Sequence, residues 1–120
     1  MSPVDVVLDH ESGLVVQPDL VVVRHERQHI VKDRVCGAPD LVIEVLSPSI
    51  RIGSLDERLS WFAQYGVREC WLVHRVAREI DIVTFADGAI VSREQIGPDD
   101  EMRSGVLPDL HATPGSIMST

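Results

Sequence analysis

Aromatic side chains are scarce in this sequence: two Trp, one Tyr and two Phe, or 4% of the residues. A core built from this chain must therefore rest on Val, Leu and Ile. Cysteine is nearly absent too. Cys36 and Cys70 stand far apart and in no metal-type spacing, which excludes a disulfide framework and a cysteine-based zinc ribbon. No apolar run reaches the length of a membrane span, and no signal-peptide pattern opens the chain. A cytoplasmic protein with two reduced thiols is expected. Basic residues are outnumbered 11 to 19 by acidic ones, for a net charge of −8. That balance excludes broad, non-specific nucleic-acid binding but leaves room for a local basic patch beside an acidic site.

What is present is enough apolar material, 44% of 120 residues, for one real core. A single domain over residues 1–110 and a flexible tail over 111–120 are expected. Residues 4–8 read as a strand. Residues 14–23 are β-branched and almost continuous, which predicts one strand buried on both faces, with Pro18 at its start or at a break in its ladder. Residues 24–37 are polar and read as a loop. Residues 39–46 give a second buried strand, ended by Ser47-Pro48-Ser49. Ser54 and Glu57 form a capping box, and Leu55, Leu59 and Phe62 share a face, which predicts an amphipathic helix over 54–65 stopped by Gly66. Strands follow at 69–74 and 79–85, then a tight turn at Asp87-Gly88 and a short strand at 89–92. The order is that of a mixed α/β sheet with a flanking helix rather than a βαβ repeat.

Glu44 is the residue that most needs explaining. It lies among Val42, Ile43, Val45 and Leu46, where an uncompensated carboxylate costs several kcal/mol or stays protonated. A cation or an arginine removes that cost, and the sequence leaves both open. Asp40 is on the same face, but four residues along a strand is roughly 13 Å, too far for one ion to bridge. Asp19 is better placed. If residues 14–23 pair antiparallel with 39–46 so that Asp19 opposes Glu44, then Val23 opposes Asp40. Asp19, Val21, Val23, Asp40, Val42 and Glu44 then line one face, with opposed residues roughly 5 Å apart. Two such carboxylates suit Mg²⁺ or Mn²⁺. Arg58, one turn into the helix, and Arg51, in the loop before it, are the candidate cations to complete the site.

The runs Val16-Gln17-Pro18-Asp19-Leu20-Val21-Val22-Val23, Gly37-Ala38-Pro39-Asp40-Leu41-Val42-Ile43-Glu44-Val45-Leu46-Ser47-Pro48-Ser49 and Tyr65-Gly66-Val67-Arg68-Glu69-Cys70-Trp71-Leu72-Val73 resemble the Uma-two family of the PD-(D/E)XK nuclease superfamily. Gly105-Val106-Leu107-Pro108-Asp109-Leu110 resembles that family's C-terminal end. The resemblance implies a restriction-endonuclease-like fold and Mg²⁺-dependent hydrolysis of DNA. It implies Asp19 and Glu44 as metal ligands, with Asp40, Ser47 and Arg51 in supporting or phosphate-contacting places. Leu46 stands where the superfamily has lysine, and Arg58 matches the helix position to which this family has moved it. Arginine keeps the charge but not the capacity to act as a base. Ser54 replaces an aspartate, and set against the family the chain is expected to lack an N-terminal segment. A degenerate, non-catalytic homo-oligomeric or nucleic-acid-associated domain is therefore the second expectation. The abrupt opening on a strand adds the expectation of a dimer covering apolar sheet surface.

His25-Glu26-Arg27-Gln28-His29 matches the H-E-x-x-H pattern of zinc peptidases, which needs both histidines on one face of a helix. Its polar surroundings instead predict a solvated loop, with Arg24, Arg27, Lys32 and Arg34 able to touch a nucleic-acid backbone. His74 reads as a strand-end residue, and Trp61 and Trp71 read as core or interface residues.

Overall fold

The computed structural model describes residues 4–46 and 53–118. Two sheets carry the fold. The smaller has three strands in the order β2-β1-β4, from Val6–Asp9 (β1), Leu14–Val16 (β2) and Val35–Cys36 (β4). The larger has five in the order β3-β5-β6-β7-β8, from Leu20–Val22 (β3), Leu41–Val45 (β5), Glu69–His74 (β6), Glu79–Ala86 (β7) and Ala89–Ile96 (β8). Helix α1 (Leu55–Tyr65) connects the parallel neighbours β5 and β6. One βαβ unit is therefore embedded in an otherwise antiparallel sheet.

The single strand expected over 14–23 is two strands in two different sheets. Pro18 is the reason: it has no N–H for a ladder, and its carbonyl accepts from Val4 N at 3.0 Å as the chain changes sheet. The second piece is less buried than expected, with Leu20 41% exposed. The polar loop over 24–37 is also more structured than the sequence suggests. It holds a 3-10 helix, His25–Ile30, and then β4. The last hairpin runs longer than expected, to Ile96. Asp87 and Gly88 both take positive φ (53° and 78°), the requirement of a two-residue turn joining right-twisted strands.

Both faces of the five-stranded sheet are covered, which is why β5, β6 and β7 are apolar nearly throughout. On one face, Val42, Cys70, Leu72, Val83 and Phe85 pack against Leu59, Phe62 and Ala63 of α1 and against Val6, Val16 and Val35 of the small sheet. On the other, Leu41, Trp71, Ile80 and Ile82 pack against Met102 and Val106 of the C-terminal segment. Helix α1 is closed as its sequence predicts. Ser54 Oγ accepts from Glu57 N, the Glu57 carboxylate accepts from Ser54 N, and Gly66 takes φ 97° at the C-cap. Tyr65, at the end of α1, donates to Asp9 Oδ2 at 3.1 Å and so ties the helix to β1.

The C-terminal segment is anchored by a buried acid, Glu69, 2% exposed. Its carboxylate accepts from Trp71 Nε1 at 2.7 Å, from Gly105 N at 3.0 Å and from the Ser104 hydroxyl. Ser104 Oγ in turn accepts from Leu107 N at 3.0 Å. Within the expected tail over 111–120, residues 114–118 form a short helix α2, Pro114–Met118, whose Gly115 N donates to Pro98 O at 2.8 Å while Arg78 donates to Gly115 O at 3.0 Å. A Cβ at Gly115 would come within 2.7 Å of Pro98 O, so glycine is what lets this turn dock.

Candidate active site

β3 and β5 pair antiparallel with Leu20 opposite Ile43, Val21 opposite Val42 and Val22 opposite Leu41. Continued one step at either end, this register sets Asp19 opposite Glu44 and Val23 opposite Asp40. Val21, Val23 and Val42 all pack into the core on the α1 side, so the acid at 44 faces that side too. Asp19 closes the end of the ladder with its side chain, Oδ2 accepting from Val45 N at 2.7 Å.

Glu44 is 2% exposed and Arg58 7%. Arg58 Nε donates to Glu44 Oε2 at 2.8 Å, and its Nη1 donates to Gly53 O at 2.7 Å. The pairing follows from helix periodicity. Arg58 lies on the same stripe as Leu55, Leu59 and Phe62, so the helix aims its guanidinium at the sheet. The arginine alternative left open for Glu44 is thus the contact present. It does not remove the acidic pair, because Asp19 remains beside Glu44 at the edge of the same strands.

Asp40 belongs to a different cluster. It is 2% exposed, accepts from Arg24 N at 2.8 Å, and has Arg27 and Arg68 guanidinium nitrogens at 3.4 and 3.8 Å. It pins the start of the 3-10 helix and the end of the α1–β6 connection rather than joining Glu44. Ser47 and Arg51 lie outside the described residues. The H-E-x-x-H stretch forms the 3-10 helix, with Arg27 out of helical geometry and both His25 and His29 exposed. At three residues per turn, a spacing of four sets the two rings about 120° apart rather than on one face. The zinc-peptidase arrangement is therefore not formed.

A second polar group shares the α1-side face. Asp81 is 6% exposed in the middle of β7, and one of its oxygens accepts from Arg93 Nε at 3.2 Å and Nη2 at 3.0 Å. Its other oxygen lies 3.3 Å from His74 Nε2, close enough for an ion pair yet misaligned for a hydrogen bond. Strand register places Glu44 beside Leu72, and Leu72 beside Asp81, in one row across the sheet. Cys70 lies beneath these groups. Burial, and next the Glu44 charge, push its thiol far above the ordinary range. Asp81 carries the same signature as Glu44, an acid inside the apolar run Ile80-Asp81-Ile82-Val83, and that signal could have found it from sequence.

Does the acidic pair fit a divalent ion? Its donors are hard carboxylate oxygens, the type Mg²⁺ and Mn²⁺ take, and Mg²⁺ is commonly held by one or two carboxylates with water and substrate phosphate completing the shell. No group of three or more His, Cys, Asp or Glu side chains able to hold an ion occurs among the described residues. The fit is thus to an ion held largely by water and substrate, not to a protein cage.

A family model named Uma2 and described as "Putative restriction endonuclease" matches residues 2–115. The chain belongs to the Uma2 family. A solved structure described as a "putative nuclease belonging to DUF820 from Anabaena variabilis" superposes with a TM-score of 0.71 at 16% identity over 98% of this chain. That likeness places the Uma2 chain in the same nuclease-type fold, as the sequence resemblance implied. The chain spans 66% of that protein's length. A search of curated proteins finds no match. No helix among the described residues is long and apolar enough to cross a membrane.

Proposed function

We propose that this Uma2 chain is a Mg²⁺- or Mn²⁺-dependent endonuclease acting on DNA, with Asp19 and Glu44 holding the ion. The observation that supports this reading is the β3–β5 register, which, continued one step, sets Asp19 opposite Glu44. A bound divalent ion there supplies Lewis-acid stabilisation of phosphoryl oxygens and lowers the pKa of water. The chain's own part is positional. Val45 N fixes one Asp19 oxygen, and Arg58 fixes Glu44 while adding positive charge where negative charge develops on phosphorus. Arg24, Arg27, Lys32 and Arg34, on and beside the 3-10 helix, provide the local basic surface that a net charge of −8 otherwise denies to DNA. The expected test result is divalent-dependent nicking of supercoiled plasmid that is lost in Glu44→Ala. Cleavage that survives this change removes the assignment.

A second reading has its own observation. A carboxylate already neutralised by a buried guanidinium is a poor ligand, so the Glu44–Arg58 pair favours a non-catalytic domain on the same fold. Calorimetric titration with Mg²⁺ and Mn²⁺ separates the two: absence of binding, together with absence of nicking under every divalent ion, selects the second. A dimer belongs to either reading. β8 is an edge strand exposed along residues 89–95, with Ile90 and Val91 outward, and sedimentation velocity tests whether it is covered by a second copy.

A further inference from the structure

Hydrolysis of a phosphodiester needs a group to take the proton of the attacking water, and the acidic pair does not provide one. Asp19 and Glu44 are assigned to the ion. Arg58 carries a guanidinium, which offers donors and no acceptor. Leu46 has no titratable group. Next to this pair lies an imidazole for which the preceding reading has no use.

We propose that His74 is the general base of this site and that Asp81 is its positioning residue; the proposal rests on the nuclease reading above. Three observations carry it. First, place: β5 and β6 run parallel with Glu44 beside Leu72 and Val45 beside Val73, so His74 lies one row beyond Glu44 on the same face, with Cα atoms about 8 Å apart. Both side chains therefore belong to the same side of the sheet as α1. Second, exposure: the His74 side chain is 30% exposed, while Asp81 behind it is 8% exposed, so the ring has an open side and an anchored side. Third, hydrogen bonding: His74 Nε2 and Asp81 Oδ1 are both buried, 3.3 Å apart, and without any other partner. Arg93 already holds the other Asp81 oxygen. Only a proton on Nε2, directed at Oδ1, satisfies both atoms, and a small rotation of the ring makes that bond.

The consequence is a fixed tautomer. With Nε2 protonated against Asp81, the lone pair of the neutral ring sits on Nδ1. Nδ1 takes one proton from water as the water oxygen forms its bond to phosphorus. The bond from phosphorus to one sugar oxygen breaks, and that oxygen leaves with the electron pair and is protonated by solvent. The imidazolium, stabilised by Asp81, then returns its proton to bulk water. Among the described residues, the charged and titratable groups that strand pairing sets nearest the ring are Asp81 and Glu79 on β7, Arg93 on β8 and Glu44 on β5. Gln95 occupies Glu79 through a 3.0 Å hydrogen bond.

The experiment is the pH profile of plasmid nicking at saturating Mg²⁺, from about pH 5 to about pH 9, for wild type, His74→Ala, His74→Gln and Asp81→Asn. Wild type should show a one-proton ascending limb. Both His74 variants should lose about 10²- to 10³-fold in rate and lose the limb, and added imidazole should restore part of the His74→Ala rate. Asp81→Asn should keep the limb but shift it, with a smaller loss. In parallel, ¹⁵N NMR of the imidazole should show the Nε2–H tautomer in wild type and a mixture in Asp81→Asn. This readout does not depend on activity. Folded His74 variants within about threefold of wild type, or retaining the limb, overturn this inference and leave the nuclease reading standing. A wild type inactive with every divalent ion overturns both.

Discussion

Replacing Arg58 with methionine removes the guanidinium and keeps most of the side-chain volume. In wild type the pair is almost sealed, at 9% and 2% side-chain exposure with a 2.8 Å contact. Breaking a buried ion pair typically costs about 3–5 kcal/mol. A domain of 120 residues has a total stability of about 6–18 kcal/mol at 0.05–0.15 kcal/mol per residue, so the variant should still fold. With a urea m-value of about 1.5 kcal/mol/M, the denaturation midpoint near pH 8 should fall by about 2–3 M. The pH dependence carries the diagnosis. Removing the guanidinium shifts the balance at the buried Glu44 toward its neutral form, since desolvation penalises the anion. Such a group contributes stability that is fully present below the unfolded pKa and lost as pH rises through the folded one. The deficit relative to wild type should therefore shrink as pH falls toward about 4.5. Adding Glu44→Gln should recover most of the loss, since no charge then remains to be compensated. The same variant should bind Mn²⁺ more tightly than wild type, and saturating Mn²⁺ should raise its midpoint more than that of wild type. A loss under about 1 kcal/mol that is the same at both pH values refutes the reasoning.

The remaining predictions concern the thiols and the C-terminal anchor. Cys36 is exposed and Cys70 buried, so a thiol reagent should titrate one group in the native protein and two in denaturant; rapid native labelling of both would contradict the packing. Because burial raises the Cys70 thiol in the folded state from the ordinary 9.0, its contribution to stability is intact below that value and declines as pH rises above it. Thermal denaturation should accordingly show an alkaline loss that Cys70→Ala flattens. Ser104→Ala removes a hydroxyl that both donates to Glu69 and accepts from Leu107 N, and should cost about 1–3 kcal/mol, with proteolysis opening first near residues 102–110. Unchanged stability and protease resistance would separate Glu69 from any anchoring role.

The parts legible in the sequence are those decided by local chemistry. The capping box at Ser54 and Glu57, the stop at Gly66 and the Asp87-Gly88 turn each follow from a few neighbouring residues, and each is present. The β3–β5 register was legible for a different reason. Strand alternation admits few ways to align Val21 and Val42 on one buried face, and the alignment that does so also opposes Asp19 and Glu44. Long-range choices were not legible. Residues 14–23 have one apolar pattern but serve two sheets, because Pro18 frees the chain to turn only where another strand is waiting. Polar residues 25–30 hide a 3-10 helix that Asp40, 16 residues beyond Arg24, holds by its N–H. Nothing local to Glu69 tells that Ser104 will meet it. An arginine was one of two solutions open for Glu44, and only the folded chain shows that Arg58 is the one that meets it.

The position of β5 has a kinetic consequence. It is flanked by β3, which precedes it across the 3-10 helix, and by β6, which follows it across α1. The antiparallel run β6-β7-β8 closes through short turns and should form quickly, whereas β5 must wait for two longer loops to close. The candidate ligands are therefore expected to meet late in folding. During synthesis, a ribosome that has released Asp19, Glu44 and Arg58 has not yet released the parallel strand β6 that makes β5 an interior strand. Until it does, the carboxylates stand on an open sheet edge, and the site comes into being as one of the last acts of assembly.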